Sequence, residues 1–201
     1  YLPEVDFDLD QSIADATAIY DKTGKCMVAV SEGIHYADGR FVSEAETSAT
    51  DGFGHAQLGG LAVKLADLIK QRTGAKVRGI ELSLLQRCGA HLASHTDVEE
   101  AKMAGRVAVE SAVAGETDKM VAFQCTREGG KYTCEPVLQP LDIVANFEKK
   151  VPREWINAAG NGVEQPFIDY VLPLIQGEPD RPKENALPRF AKLKKVLTTD
   201  M

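Results

Sequence analysis

Cysteine is scarce in this 201-residue chain, tryptophan occurs once, and aromatic residues make up 6% of it. The four cysteines, Cys26, Cys88, Cys125 and Cys134, form no Cys-x-x-Cys pair. That excludes a disulfide scaffold and the usual zinc sites. Positive charge is also in deficit, with 30 acidic residues against 23 basic ones and a formal net charge of -7. Such a field repels phosphate polyanions at long range, so nucleic acid is not an expected partner. No apolar run reaches the roughly 20 residues that span a bilayer. The opening Tyr1-Leu2-Pro3-Glu4 has neither the basic nor the apolar stretch of a signal peptide. A cytoplasmic chain with no membrane partner is the expectation. Its start on Tyr1 rather than Met, in what reads as the end of a strand, is what a fragment or a processed piece would show.

What is present is ordinary for a globular protein: 44% hydrophobic and 26% charged residues, enough for a continuous core in one domain or two small ones. Helical spacing of Ile13, Ala16, Ile19 and Tyr20 predicts a helix from Asp8 to about Lys22, capped by Asp8 or Asp10 and ended by Gly24. Cys26-Met-Val-Ala-Val30 is short and apolar on both faces, as a buried parallel strand is, and Ser31-Glu32-Gly33 would be its loop. Residues 34 to 54 read as a surface excursion with turns at Asp38-Gly39 and Asp51-Gly52. A helix from His55 to Gln71 follows, with Leu58, Leu61, Leu65 and Leu68 on one stripe and Gly74 as its stop. Lys76 to Leu85 alternates as a strand. Asp97 to Ala114 is a second strong helix, capped by Ser94 or Thr96 and closed by Gly115. Strands and helices in alternation predict an α/β layered sheet, at least partly parallel, flanked by helices. Beyond Pro136 two short helices are predicted, around Pro152 to Asn157 and Pro166 to Ile175, and then a tail, 177 to 198, rich in proline and charge.

Cys125-Thr-Arg-Glu-Gly-Gly-Lys-Tyr-Thr-Cys134 reads as a hairpin turning on Gly129-Gly130. Its register sets Cys125 opposite Cys134, as a non-hydrogen-bonded pair whose side chains come close. Reduced thiols are the expectation in a cytoplasmic chain, with a disulfide open to this one pair.

The segment Arg78-Gly-Ile-Glu-Leu-Ser-Leu-Leu-Gln-Arg87-Cys-Gly ends a predicted strand in an arginine. A guanidinium at the carboxyl edge of a sheet can hold a phosphate through two hydrogen bonds. Arg78, nine residues earlier, would stand at the other end of a strand roughly 30 Å long, out of reach of the same phosphate. It would act on a neighbouring subunit's site. Ordinary surface ion pairs are the competing account of both arginines.

Three segments, in order, carry a family resemblance. Pro3-Glu4-Val5-Asp6-Phe7 is similar to the Pro-Glu turn of the phosphofructokinases, Val28-Ala-Val-Ser-Glu-Gly33 to their strand and loop, and Gln86-Arg87-Cys88-Gly89 to their Gln-Arg-Gly-Gly element. The tail, from Asn146-Phe-Glu-Lys-Lys-Val-Pro152 through Tyr170-Val-Leu-Pro-Leu-Ile-Gln-Gly-Glu178, resembles the longer, pyrophosphate-using members. The resemblance implies a sugar-phosphate-binding α/β portion over residues 1–136 and a C-terminal extension over 137–201. It implies that Glu4 accepts hydrogen bonds from sugar hydroxyls, that Arg87 binds the 6-phosphate of fructose 6-phosphate, and that Arg78 reaches that phosphate from a neighbouring subunit. The family has His or Tyr where this chain has Leu84, and Gly where it has Cys88.

The family's phosphoryl-donor loop and its catalytic aspartate element do not occur in these residues. The resemblance therefore implies the C-terminal, acceptor half of such an enzyme, inactive alone, with no catalytic residue in this chain. Its partner would be the missing N-terminal half, in a homo-oligomer that is at least a dimer. Mg²⁺ would enter with the donor, pyrophosphate or ATP, and no ligand for it is identified here. A non-catalytic regulatory or assembly subunit that binds a sugar phosphate is the alternative.

Other groups have plainer explanations. His91 and His95 are four apart, but Ser94 and Thr96 start the helix after His91, which argues against a shared metal. Gly52-Phe-Gly-His-Ala-Gln-Leu-Gly-Gly60 is glycine-rich yet lacks the ending of a P-loop. Lys149, Lys150 and Arg153 read as solvated charge, and Trp155 as packing.

Overall fold

The computed structural model describes residues 1–43 and 60–194. The glycine-rich run up to Gly59, the first turn of the helix predicted from His55, and the end of the tail lie outside the described residues. The chain divides into two compact units, residues 1–86 with 148–170 and residues 87–147 with 171–201.

In the first unit, helix α1 (Leu9–Thr23) forms where expected. The Asp8 carboxylate accepts from the Gln11 N–H at 3.0 Å, which satisfies one of the free donors of the first turn. Gly24 closes the helix at φ 72, a left-handed conformation that costs glycine nothing. Helix α2 (Leu61–Thr73) ends the same way at Gly74. The two helices are joined by Arg72, which donates to Asp10 at 2.8 Å. Phe7, Ile34, Val42, Leu61 and Leu65 are the buried core, and Tyr1 meets Phe7 edge to face at 5.3 Å.

The later part of this unit is a tight loop. Arg153–Trp155 makes one 3-10 turn, Ile156 bridges Val163, and the Asn157 side-chain oxygen Oδ1 accepts from the Asn161 and Gly162 N–H groups. Asn161 then donates to Asp15 of α1 at 2.8 Å. Hydrogen bonds from Asn161 and Gln11 hold the Asp15 carboxyl below the usual carboxylate range.

The second unit is built on α4 (His95–Val113) and a hairpin of β1 (Lys119–Thr126) and β2 (Thr133–Pro140). Ser94 caps α4 by accepting from Asp97 N–H, and the same hydroxyl donates to the Leu174 carbonyl at 2.6 Å. The hairpin is antiparallel with Cys125 opposite Cys134, and Gly129 and Gly130 both take positive φ, as the sequence predicts. Helix α5 (Gln165–Val171) ends the first unit's share of the chain, and a 3-10 turn, Leu172–Ile175, follows it in the second. The tail holds a two-residue hairpin, β3 (Lys183–Glu184) and β4 (Leu187–Pro188), turning on Asn185 and Ala186 at φ 52 and 66.

Two predicted strands do not form ladders. Among the described residues the paired strands are antiparallel, and segments 26–30 and 76–82 lie in neither strand nor helix. A parallel strand needs a neighbour and cover on both faces. Met27 is 95% exposed. One rung of parallel pairing is present: the Tyr1 amine donates to Ala29 O, and Ser31 N–H donates to Tyr1 O. The other departure is α3 (Ser83–Cys88), a short helix where the alternation predicts the end of a strand.

Candidate functional site

Glu4 stands on a turn fixed from three directions. Pro3 meets Gly33, where an added Cβ would lie 3.6 Å from the proline Cβ. Val5 packs on Gly160, whose φ is 72 and whose added Cβ would approach Val5 at 3.0 Å. Finally, the Val151 N–H donates to Glu4 Oε1 at 2.9 Å. The second carboxylate oxygen, Oε2, is buried and has no hydrogen-bond partner among the described residues. A buried acceptor left unmet costs about 1–3 kcal/mol, and more where it carries charge. Glu4 is thus built to accept a donor that the described residues do not supply.

Arg87 lies in the last turn of α3, exposed, with no partner among the described residues. Its place on a helix corrects the expected strand end. Arg78 is also exposed and unpaired among the described residues. With α3 in place of the strand, the 30 Å separation no longer applies. The ion-pair account of both arginines finds no support among the described residues.

The backbone around Arg78 is unusually close to α2. An added Cβ at Gly79 would lie 2.4 Å from the Ala62 carbonyl oxygen and 2.8 Å from the Val63 nitrogen. Glu81 accepts from the Ala62 N–H at 2.7 Å. This carboxylate serves the first turn of α2, which Gly60 cannot cap with a side chain. Leu84 is exposed and offers no donor.

The remaining candidates have structural partners. Ala93 and Ser94 are extended, so His91, in the 3-10 turn Ala90–Leu92, and His95 share no helix face. Arg153 is turned onto the Ile156 and Asn157 carbonyls, Lys149 lies 5.8 Å from the Tyr170 ring centre, and Trp155 packs on Tyr170 at 5.4 Å. Among the described residues no three His, Cys, Asp or Glu side chains group as a metal ion would require. Among the described residues no helix is long and apolar enough to cross a membrane.

Cys125 and Cys134 are free and half-buried, whereas Cys26 and Cys88 are exposed. The Tyr132 hydroxyl donates to Glu100 at 2.6 Å and lies 3.4 Å from Cys125 Sγ. Burial, with a hydrogen bond to Cys125, pushes the Cys134 thiol up to about 12. Since the thiolate is the nucleophile, iodoacetamide at pH 8 is expected to alkylate Cys26 and Cys88 at least roughly tenfold faster than Cys134. Peptide mass spectrometry over time checks this.

No family model matches the chain. Among curated proteins it is 44% identical over 194 residues to the pyrophosphate--fructose 6-phosphate 1-phosphotransferase of Halomonas elongata, covering 96% of this chain and 45% of that one. With the enzyme of the same name from Methylococcus capsulatus the identity is 42% over 191 residues, covering 95% and 45%. The crystal structure of the pyrophosphate-dependent phosphofructokinase of Nitrosospira multiformis superposes with a TM-score of 0.80 at 33% identity, over 99% of this chain and 46% of that one. The chain belongs to the phosphofructokinases. It corresponds to a C-terminal portion of the pyrophosphate-dependent members and has their α/β fold. It spans about half the length of the curated relatives it matches.

Of the three residues expected at the site, Glu4 is the one with a side-chain hydrogen bond among the described residues. Sequence reading missed the Val151 donor, because every residue but proline carries a backbone N–H. The only signal was Pro152, which restricts the residue before it to extended conformations.

Proposed function

We propose that this chain provides the fructose 6-phosphate side of a pyrophosphate-dependent 6-phosphofructokinase, whose intact form transfers a phosphoryl group to the sugar's 1-hydroxyl. The observation that carries the reading is the Glu4 carboxylate, with one oxygen held by Val151 and the other buried without a donor. Sugar hydroxyls are donors of the right kind. Arg87 takes the 6-phosphate through charge-assisted hydrogen bonds. On the family resemblance, Arg78 serves the phosphate bound by a neighbouring subunit, which requires at least a dimer.

Phosphoryl transfer depends on positioning and on stabilising charge around the donor phosphate. The groups that hold pyrophosphate and Mg²⁺, and the base for the attacking hydroxyl, come from the remainder of the enzyme, so this chain alone turns nothing over. The exposed apolar side chains fit that division. Met27, Leu85 and Val113 are 95%, 74% and 84% exposed. The remainder of the enzyme covers them.

Calorimetric titration at low salt tests the reading. Fructose 6-phosphate is expected to bind saturably and fructose without phosphate not to bind. Equal responses to the two sugars would contradict it.

A further inference from the structure

The turn that carries Glu4 and the segment that orients it are 147 residues apart in sequence. Residues 148–163 form the wall behind that turn: Val151 bonds the carboxylate, Gly160 receives Val5, and Asn161 ties the loop to Asp15 of α1. A glutamate side chain has three rotatable bonds, and an unrestrained carboxylate would sample many orientations. A single fixed donor on Oε1 removes most of that freedom and leaves Oε2 pointing one way. The donor itself cannot swing, because it belongs to the backbone just before Pro152.

We infer that the Val151 backbone N–H is a positioning group for sugar recognition: it orients the Glu4 carboxylate so that Oε2 is presented to a sugar hydroxyl. The inference rests on the proposed function and adds to it a role for the segment after Phe147, where the sequence identifies no substrate-binding residue. Specificity for the hydroxyl-bearing part of the ligand then depends on a main-chain group in the C-terminal extension. Affinity for the phosphate does not.

Proline at position 151 removes this N–H. The residue before a proline is confined to extended backbone, close to the conformation proline itself adopts, so Val151→Pro costs little apart from the hydrogen bond. Val151→Ala keeps the N–H and removes only the side chain. Each variant and the unsubstituted chain are titrated with fructose 6-phosphate and with methyl phosphate, which offers the phosphate without sugar hydroxyls.

The expected result is that Val151→Pro weakens fructose 6-phosphate binding about tenfold and leaves methyl phosphate within twofold, while Val151→Ala changes neither. Fructose 6-phosphate binding by Val151→Pro equal to that of the unsubstituted chain overturns the inference and leaves the proposed function standing. Should Val151→Pro lose both ligands, the 150–151 amide is replaced by an ester, which deletes the same N–H without changing the shape of the chain. Selective loss of fructose 6-phosphate by the ester chain supports the inference. Equal loss or no loss overturns it. Absence of saturable fructose 6-phosphate binding by the unsubstituted chain overturns the proposed function, and the inference with it.

Discussion

Arg87→Ala is expected to weaken fructose 6-phosphate binding by about 100-fold while shifting thermal unfolding by less than about 2 °C. The first number follows from the bonds at stake. A charge-assisted hydrogen bond contributes about 1.5–3 kcal/mol, a guanidinium offers two to one phosphate, and 1.4 kcal/mol is a factor of ten. The second follows from where Arg87 sits. It is exposed at the end of α3 and has no partner among the described residues, so truncation removes no contact that holds the unit together. Lysine at 87 separates charge from geometry: an ammonium is a point charge without the planar fork, and Arg87→Lys should recover only part of the affinity. Calorimetry and thermal unfolding on the same samples check both numbers. An Arg87→Ala variant that binds normally would place the phosphate elsewhere.

Gly79→Ala is expected to destabilise the chain by about 2 kcal/mol, lowering its unfolding temperature by about 4–8 °C. The atoms an added Cβ would meet are the Ala62 carbonyl group, at 2.4 and 2.6 Å, and the Val63 nitrogen, at 2.8 Å. All of these are backbone atoms in the first turn of α2 and cannot rotate away as a side chain would. Either the 78–81 segment lifts off the helix or the turn opens, and in both cases the bond from Ala62 N–H to Glu81 is lost. Glu81→Gln retains an acceptor and is the control that should remain close to the unsubstituted chain. Differential scanning of the three proteins decides it, and an unchanged Gly79→Ala would mean that the contact relaxes at no cost.

Legibility in the sequence follows the range of the interaction involved. Asp8, Ser94 and Gly24 act within one turn of the helices they cap, and the helices formed at those residues. The Cys125–Cys134 register depends only on a turn of paired glycines between them, and it too is as read. The strands at 26–30 and 76–85 were misread for a different reason. Alternating or continuous apolar residues say that a segment can be buried as a strand, but they carry nothing about whether a neighbouring strand is present. The small hairpin on Asn185-Ala186 escaped because alanine at positive φ gives no turn signal, unlike Asn-Gly.

The site divides in the same way. Arg87 was singled out as the carboxyl end of a predicted strand, whereas Glu4 entered only through the resemblance of Pro3-Glu4-Val5. Its buried, unmet oxygen and the Val151 bond span most of the chain and are visible only once it folds.

The most direct test of the central claim is to exchange this chain for the matching portion of a pyrophosphate-dependent relative and assay the chimera. Phosphoryl transfer from pyrophosphate to fructose 6-phosphate, abolished by Arg87→Ala in the inserted portion, is the predicted result. A folded chimera that fails to bind fructose 6-phosphate, or one whose transfer is indifferent to Arg87, would contradict the assignment of this chain as the acceptor half.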